Sequence, residues 1–253
     1  MLLRFEATLN GVAFSNIDEK LILRDIEEMR PRETQNESPR ATYPGTRVSS
    51  RVRRALSVRL IFCVREYDIT KRADVLDKVA KWAANGGWLT INSRPGQRLY
   101  VRPDEMPSMG SSLKWTDDMY MTLTAYENPF WEDAAATTIT ANGYLKPEGT
   151  YPMAYVSCVI TNTAQAALTT ITINCGSTKI RLEGLYLTNG QTVSIGYTDD
   201  GILQITANGV SALAKRTPDS SDDLMIRSGV STWVSVTANT TVSRVFSTRG
   251  RYW

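Results

Sequence analysis

Turn residues cut the stretch from residue 134 to residue 253 into short β-branched runs, and this spacing restricts the fold more than any other feature of the chain. The runs Ala154–Asn162, Thr169–Asn174, Lys179–Leu185, Thr192–Tyr197 and Ile202–Ala207 alternate apolar with polar residues or are rich in Val, Ile and Thr. Between them stand Asn174-Cys175-Gly176, Asn189-Gly190, Asp199-Asp200-Gly201 and Asn208-Gly209, residue types that accept the left-handed backbone of hairpin turns. Further strands are expected near Thr232–Thr237 and Val242–Ser247. Strands recurring every ~8–12 residues predict a β-sandwich or jelly roll. No fixed-period repeat is present, which argues against a propeller or solenoid.

Upstream the composition changes. Residues 1–129 hold 20 Lys/Arg and 17 Asp/Glu, whereas residues 130–253 hold 9 of each. The change centres on Glu127-Asn128-Pro129-Phe130-Trp131-Glu132-Asp133, where a proline ends a strand. It divides the chain into expected domains 1–133 and 134–253.

The first domain mixes strands with one helix. Residues 2–9 read as a strand that stops at the turn pair Asn10-Gly11. Residues 20–29 are ambiguous: Ile22, Ile26 and Met29 fit a helix, Leu21 and Leu23 a strand. Val58–Val64 reads as a strand. After it, Thr70 is placed to cap a helix whose apolar face is Leu76, Val79, Ala80 and Ala83, flanked by Val75 and Trp82; Asn85-Gly86-Gly87 ends it. Trp88–Ile91 returns as a strand, making residues 56–92 one strand–helix–strand unit, and strands follow near Leu99–Arg102 and Tyr120–Tyr126. The fold class is therefore mainly β with one helix: an α+β N-terminal domain followed by a β-sandwich.

Between the early strands, Arg30-Pro31-Arg32 through Ser49-Ser50 has no apolar period and reads as an extended arm. With the next strand start it carries Arg30, Arg32, Arg40, Arg47, Arg51, Arg53, Arg54 and Arg59 against only Glu33 and Glu37. Three readings stay open: contacts to phosphates, docking on acidic patches of a neighbouring protein, and a solvated loop. No aromatic residues interleave with the arginines as in single-strand binders, and the chain's net charge is only +3. No specific nucleic-acid partner is expected.

Catalytic chemistry is scarce. Histidine is absent, which removes the commonest general base and the usual triads. Cys63, Cys158 and Cys175 sit in apolar or β-branched settings and read as buried free thiols of a chain made in a reducing cytosol. Asp199-Asp200 and Asp222-Asp223 raise glycoside hydrolysis, but adjacent strand residues face opposite ways and Asp-Asp-Gly is ordinary turn chemistry. No calcium-loop ladder, Gly-rich phosphate motif or nucleophile elbow is present. No metal or other cofactor is expected. Trp88, Tyr100, Trp115, Tyr120 and Tyr126 suit a sugar platform in principle, with core packing or a subunit interface the favoured reading. The sequons at Asn36 and Asn239 read as chance, since residues 1–6 lack a signal-peptide core and no run approaches the ~20 apolar residues of a membrane span.

The first domain resembles the distal tail proteins, or baseplate hub proteins, of siphophages. The likeness lies in the arm, the basic strand Arg53–Phe62, the helix Arg72–Trp82 and the return Gly86-Gly87-Trp88-Leu89. It continues in Ser93-Arg94-Pro95-Gly96-Gln97-Arg98-Leu99-Tyr100-Val101 and the ending Tyr126-Glu127-Asn128-Pro129-Phe130-Trp131. The sandwich following Gly143–Pro152 and the Arg-aromatic tail Ser247–Trp253 are similar too. The resemblance implies a homo-hexameric ring of first domains that joins the tail tube protein to the tail-tip hub and its fibre and host-adhesion apparatus. It implies a galectin-like second domain projecting outward, with a receptor-binding protein as partner, and a structural role without catalysis in the virion tail tip. Arg47, Arg51, Arg53 and Arg54 are then the subunit-interface candidates, an extended arm closing a head-to-tail contact into a ring. The alternative function is a carbohydrate-binding or adhesin module.

Overall fold

The computed structural model describes residues 5–29, 33–39, 46–53, 55–107 and 117–253, the second and third of these segments as backbone. The chain separates into two compact units, Met1–Phe130 and Trp131–Trp253.

Unit 1 runs β1 (Ala7–Leu9), β2 (Val12–Ala13), a short 3-10 turn (Phe14–Asn16), β3 (Leu21–Met29), β4 (Glu33–Pro39), β5 (Thr46–Arg53), β6 (Leu56–Val64), α1 (Ile69–Ala83), β7 (Gly87–Ile91), β8 (Gln97–Glu105) and β9 (Met119–Ala125). Residues 21–29 resolve as a strand. Leu21 and Leu23 are buried by alternation, and the strand pairs with β6 from Leu21 to Met29 with an irregularity between Leu23 and Asp25, a tertiary context that overrides the ambiguous period. The sheet order is β2-β1-β7-β8-β9-β6-β3, with antiparallel neighbours throughout.

Alternation places Leu56, Val58, Leu60 and Phe62 of β6 on the buried face, level with Met121 and Leu123 of β9 and Leu99 and Val101 of β8. Helix α1 buries Val75, Leu76, Val79 and Ala83. Phe14 links helix and sheet, edge to face with Trp82 at 5.5 Å and with Phe62 at 5.2 Å between ring centroids. Each such fully buried side chain contributes about 1.5–3 kcal/mol relative to exposure.

The cap of α1 corrects the sequence reading. The N-cap is Asp68, whose carboxylate accepts from Thr70 N at 2.9 Å and Lys71 N at 3.5 Å; Thr70 itself lies inside the first turn. At the other end, Gly86 takes φ +61° and abuts the Val101 carbonyl, where a Cβ would collide. Asn10 then clamps the following chain: its amide donates to Gly86 O and accepts from Trp88 N, both at 2.9 Å.

The extended arm expected between the early strands is internally paired. Between β3 and β6 the chain forms an antiparallel ribbon, β4 with β5, in register from Glu33↔Arg53 to Pro39↔Thr46, with an irregularity between Asn36 and Glu37. A backbone ladder leaves no apolar period for a sequence reading to find.

Unit 2 runs β10 (Trp131–Asp133), β11 (Thr137–Ile139), β12 (Gly143–Leu145), β13 (Met153–Asn162), β14 (Leu168–Cys175), β15 (Thr178–Leu187), β16 (Thr192–Tyr197), β17 (Leu203–Ala207), β18 (Val210–Ser211), a 3-10 turn (Leu213–Lys215), β19 (Met225–Arg227), β20 (Thr232–Ala238), β21 (Val242–Thr248) and β22 (Arg251–Tyr252). One sheet is ordered β11-β21-β13-β16-β17-β18 with β19 also on β13; the other is β12-β20-β14-β15. They share one core, with Val156, Cys158, Ile160, Ile195 and Phe246 on the first sheet and Ile171, Ile173, Ile180, Leu182, Val234 and Val236 on the second. This is a β-sandwich.

Its turns follow the sequence signals, with Asn208 at φ +49° and Gly209 at φ +81° between β17 and β18. Two polar side chains inside it find backbone partners. The Asn162 amide, fully buried, donates to Ala166 O and Leu187 O at 2.9 Å and accepts from Ala164 N at 3.0 Å. The Tyr197 hydroxyl accepts from Leu224 N and donates to Leu224 O.

The last residues close the unit. β22 pairs with β10 through Trp131↔Tyr252 and Glu132↔Arg251. The Asp133 carboxylate accepts from Gly250 N and from the Tyr252 hydroxyl, each at 3.0 Å, and the Arg251 guanidinium lies 3.9 Å over the Tyr155 ring.

Candidate interaction surfaces

All three cysteines are buried and free. Burial pushes the Cys175 thiol up to about 12 and raises Cys158 as well, so neither supplies a thiolate nucleophile near neutral pH. Asp199 and Asp200 occupy the turn between β16 and β17, closed by Thr198 N donating to Ile202 O at 2.9 Å. Asp222 pairs with Arg216 at 3.0 Å, while burial and then the neighbouring Asp222 charge raise Asp223 above the usual carboxylate range. Among the described residues no group of three or more His, Cys, Asp or Glu is placed to hold a metal ion. No helix among them is long and apolar enough to cross a membrane.

Of the arginines singled out from the sequence, Arg47, Arg51 and Arg53 lie on β5, whose backbone alone is described; Arg54 lies outside the described residues. Arg51 and Arg53 are two residues apart in the strand. Glu33 stands opposite Arg53, and Gln35 opposite Arg51.

For the aromatic residues of unit 1 the structure excludes the core-packing half of the expectation at the four described positions. Trp88 and Tyr100 oppose each other on β7 and β8 with ring centroids 5.3 Å apart, and the Arg98 guanidinium lies 3.6 Å over the Trp88 ring. Both are half-buried. Tyr120 and Tyr126 are 47% and 48% exposed, and Arg59 lies 5.0 Å over the Tyr120 ring. None of these four is a core residue, because each falls on the sheet face opposite α1 or just beyond its strand. Trp115 lies outside the described residues.

A second aromatic pair was missed by the sequence reading. Tyr144 on β12 and Trp233 on β20 are directly opposite in register, with centroids 5.2 Å apart and planes at 74°. They stand on the outer face of the sandwich, 66% and 50% exposed. The signal was present: in Thr232-Trp233-Val234-Ser235-Val236-Thr237, Trp233 falls in the polar phase of the alternation.

No family model matches the chain, and no curated protein matches it by sequence. Among solved structures, it is similar to the Dit (gp 19.1) protein of phage SPP1, described as a paradigm of the hub adsorption apparatus in phages infecting Gram-positive hosts. The TM-score is 0.67 at 11% identity, over 98% of this chain and 99% of that one. The chain has a phage hub fold. Two structures of the phage p2 baseplate in its activated conformation, with Sr and with Ca, share that hub fold at TM-scores of 0.54. Identities are 8% and 9%, and coverage is at least 97% of each chain. The likeness spans both units of the hub fold.

Proposed function

We propose that this chain is a structural hub protein of a phage tail tip, assembling through its first unit into a homo-hexameric ring. The observation that carries this reading is the hub fold over nearly the full length of both chains, 98% and 99%. In the ring, the β4–β5 ribbon of one subunit reaches onto the next, and Arg47, Arg51, Arg53 and Arg54 form its ion pairs. A head-to-tail contact of this kind closes when the rotation per subunit divides the circle. One ring face meets the tail tube protein and the other the tail-tip hub. The sandwich projects outward and holds a receptor-binding protein. The protein is made in the host cytoplasm, works in the virion tail tip and has no catalytic role.

Light scattering after gel filtration, with images of stained particles, tests the reading. The expected product is a six-membered ring, alone or after adding tail tube protein. Replacing Arg47, Arg51, Arg53 and Arg54 together by Glu is expected to leave subunits that melt normally and do not close. A monomer at every protein and salt concentration, with tube protein present, would refute the ring.

A further inference from the structure

We infer that the outer face of the β12-β20-β14-β15 sheet is a binding site for neutral oligosaccharides, centred on Trp233. Exposed apolar side chains scattered singly are normal; a paired, largely exposed Trp and Tyr is not. Tyr144 meets Trp233 edge to face and fixes the orientation of the indole. On the other side of Trp233, across the β20–β14 pairing, stands Gly176, whose amide donates to Trp233 O at 3.2 Å.

Next along the same face, Ser235 lies opposite Asn174, and Thr237 opposite Thr172. Their alternation with buried Val234, Val236 and Ile173 points them away from the core. No described residue hydrogen-bonds the side chains of Thr172, Asn174 or Ser235, so an amide and two hydroxyls are free to donate and accept beside the ring. An aromatic surface next to unpaired amide and hydroxyl groups fits a pyranose, which offers a C–H face for stacking and hydroxyls around its rim. The combination of apolar platform and few convergent polar groups is that of small-ligand sites generally.

Charge selects among ligands. The cations of this face are neutralised within the unit, Lys179 by Asp219 at 2.7 Å and Arg181 by Glu183. With both of these β15 cations paired to carboxylates, the strand offers little net charge to a phosphate- or sulfate-bearing polymer, and a neutral sugar is its complement. The site lies wholly within unit 2 and does not depend on the ring.

The test is saturation-transfer NMR on the full chain, using maltotetraose, cellotetraose and tetra-N-acetylchitotetraose, with a heparin tetrasaccharide as the anionic control. At least one neutral probe is expected to bind. Trp233→Ala is expected to weaken it about tenfold or more, and Trp233→Phe by less, without changing melting or particle size. Silence from all neutral probes, binding unchanged in Trp233→Ala, or binding of the anionic probe alone would each overturn the site. Failure of ring assembly in Trp233→Ala with no sugar signal would instead make this face a contact between copies, and overturn it equally. The hub reading fails only on ring assembly in the unmodified chain, so the two outcomes separate.

Discussion

Asp68 offers a quantitative test of how the helix of unit 1 is anchored. Its carboxylate satisfies two of the amide donors that the first turn leaves without intrahelical partners. Removing such a cap costs about 0.5–2 kcal/mol, typically near 1. Unit 1 comprises about 130 residues, and an unfolding entropy of about 2.1 cal/mol/K per residue gives about 0.27 kcal/mol/K. Asp68→Ala is therefore expected to lower the melting temperature of this unit by about 4 °C, ~1 kcal/mol divided by that slope.

Two controls isolate the mechanism. Asn at an N-cap retains the acceptor and loses only the charge, so Asp68→Asn is expected to cost well under half as much. Thr70→Ala removes a side chain that makes no cap, and is expected to stay within about 0.5 kcal/mol of the parent. Scanning calorimetry resolves the unit 1 transition, and urea titration with helix-sensitive circular dichroism checks it. If Thr70→Ala proved as costly as Asp68→Ala, the assignment of the cap would be wrong. If Asp68→Asn matched Asp68→Ala, the effect would come from charge and not from the hydrogen bonds.

Two further outcomes are expected. The Lys179 ammonium and the Thr217 hydroxyl hydrogen-bond Asp219 and lower its pKa from 3.8 to about 2. A folded-state value below the unfolded one makes its contribution complete above about pH 4, fading as the pH falls through about 2. Asp219→Asn should flatten that limb of the stability–pH profile, and an unchanged limb in chemical denaturation would refute the pairing. Gly250 is packed so that a Cβ would collide with the Glu148 carbonyl and the Asp133 carboxylate. Gly250→Ala is therefore expected to destabilise unit 2 by about 1–3 kcal/mol, read as a lower denaturant midpoint at unchanged slope; a neutral result would show that the return of the chain is loose.

Where alternation and turn chemistry act locally, the sequence was sufficient. Thr192–Tyr197 is a strand to the residue, and Asn10-Gly11 turns the chain with both residues at positive φ. The second task of Asn10, holding Gly86-Gly87-Trp88, was not legible, because it joins residues far apart in the chain. The ribbon escaped for a related reason: its pairing lives in the backbone, and its polar residues carry no hydrophobic phase. Asp68 was passed over for Thr70 because two capping residue types stand two positions apart, and only backbone geometry chooses between them. The aromatic residues show the clearest limit. Five in unit 1 drew attention as a group, whereas Trp233 needed the phase of its strand and a partner 89 residues away.

The pairing of β10 with β22 has a consequence for how such chains diversify. It places the first and last strands of unit 2 side by side, so the two ends of the sandwich meet. A cassette with adjacent ends can be swapped, enlarged or circularly re-spliced without severing a strand of its own interior. The outer sheet of such a module can then vary while the seam between its ends keeps its sequence.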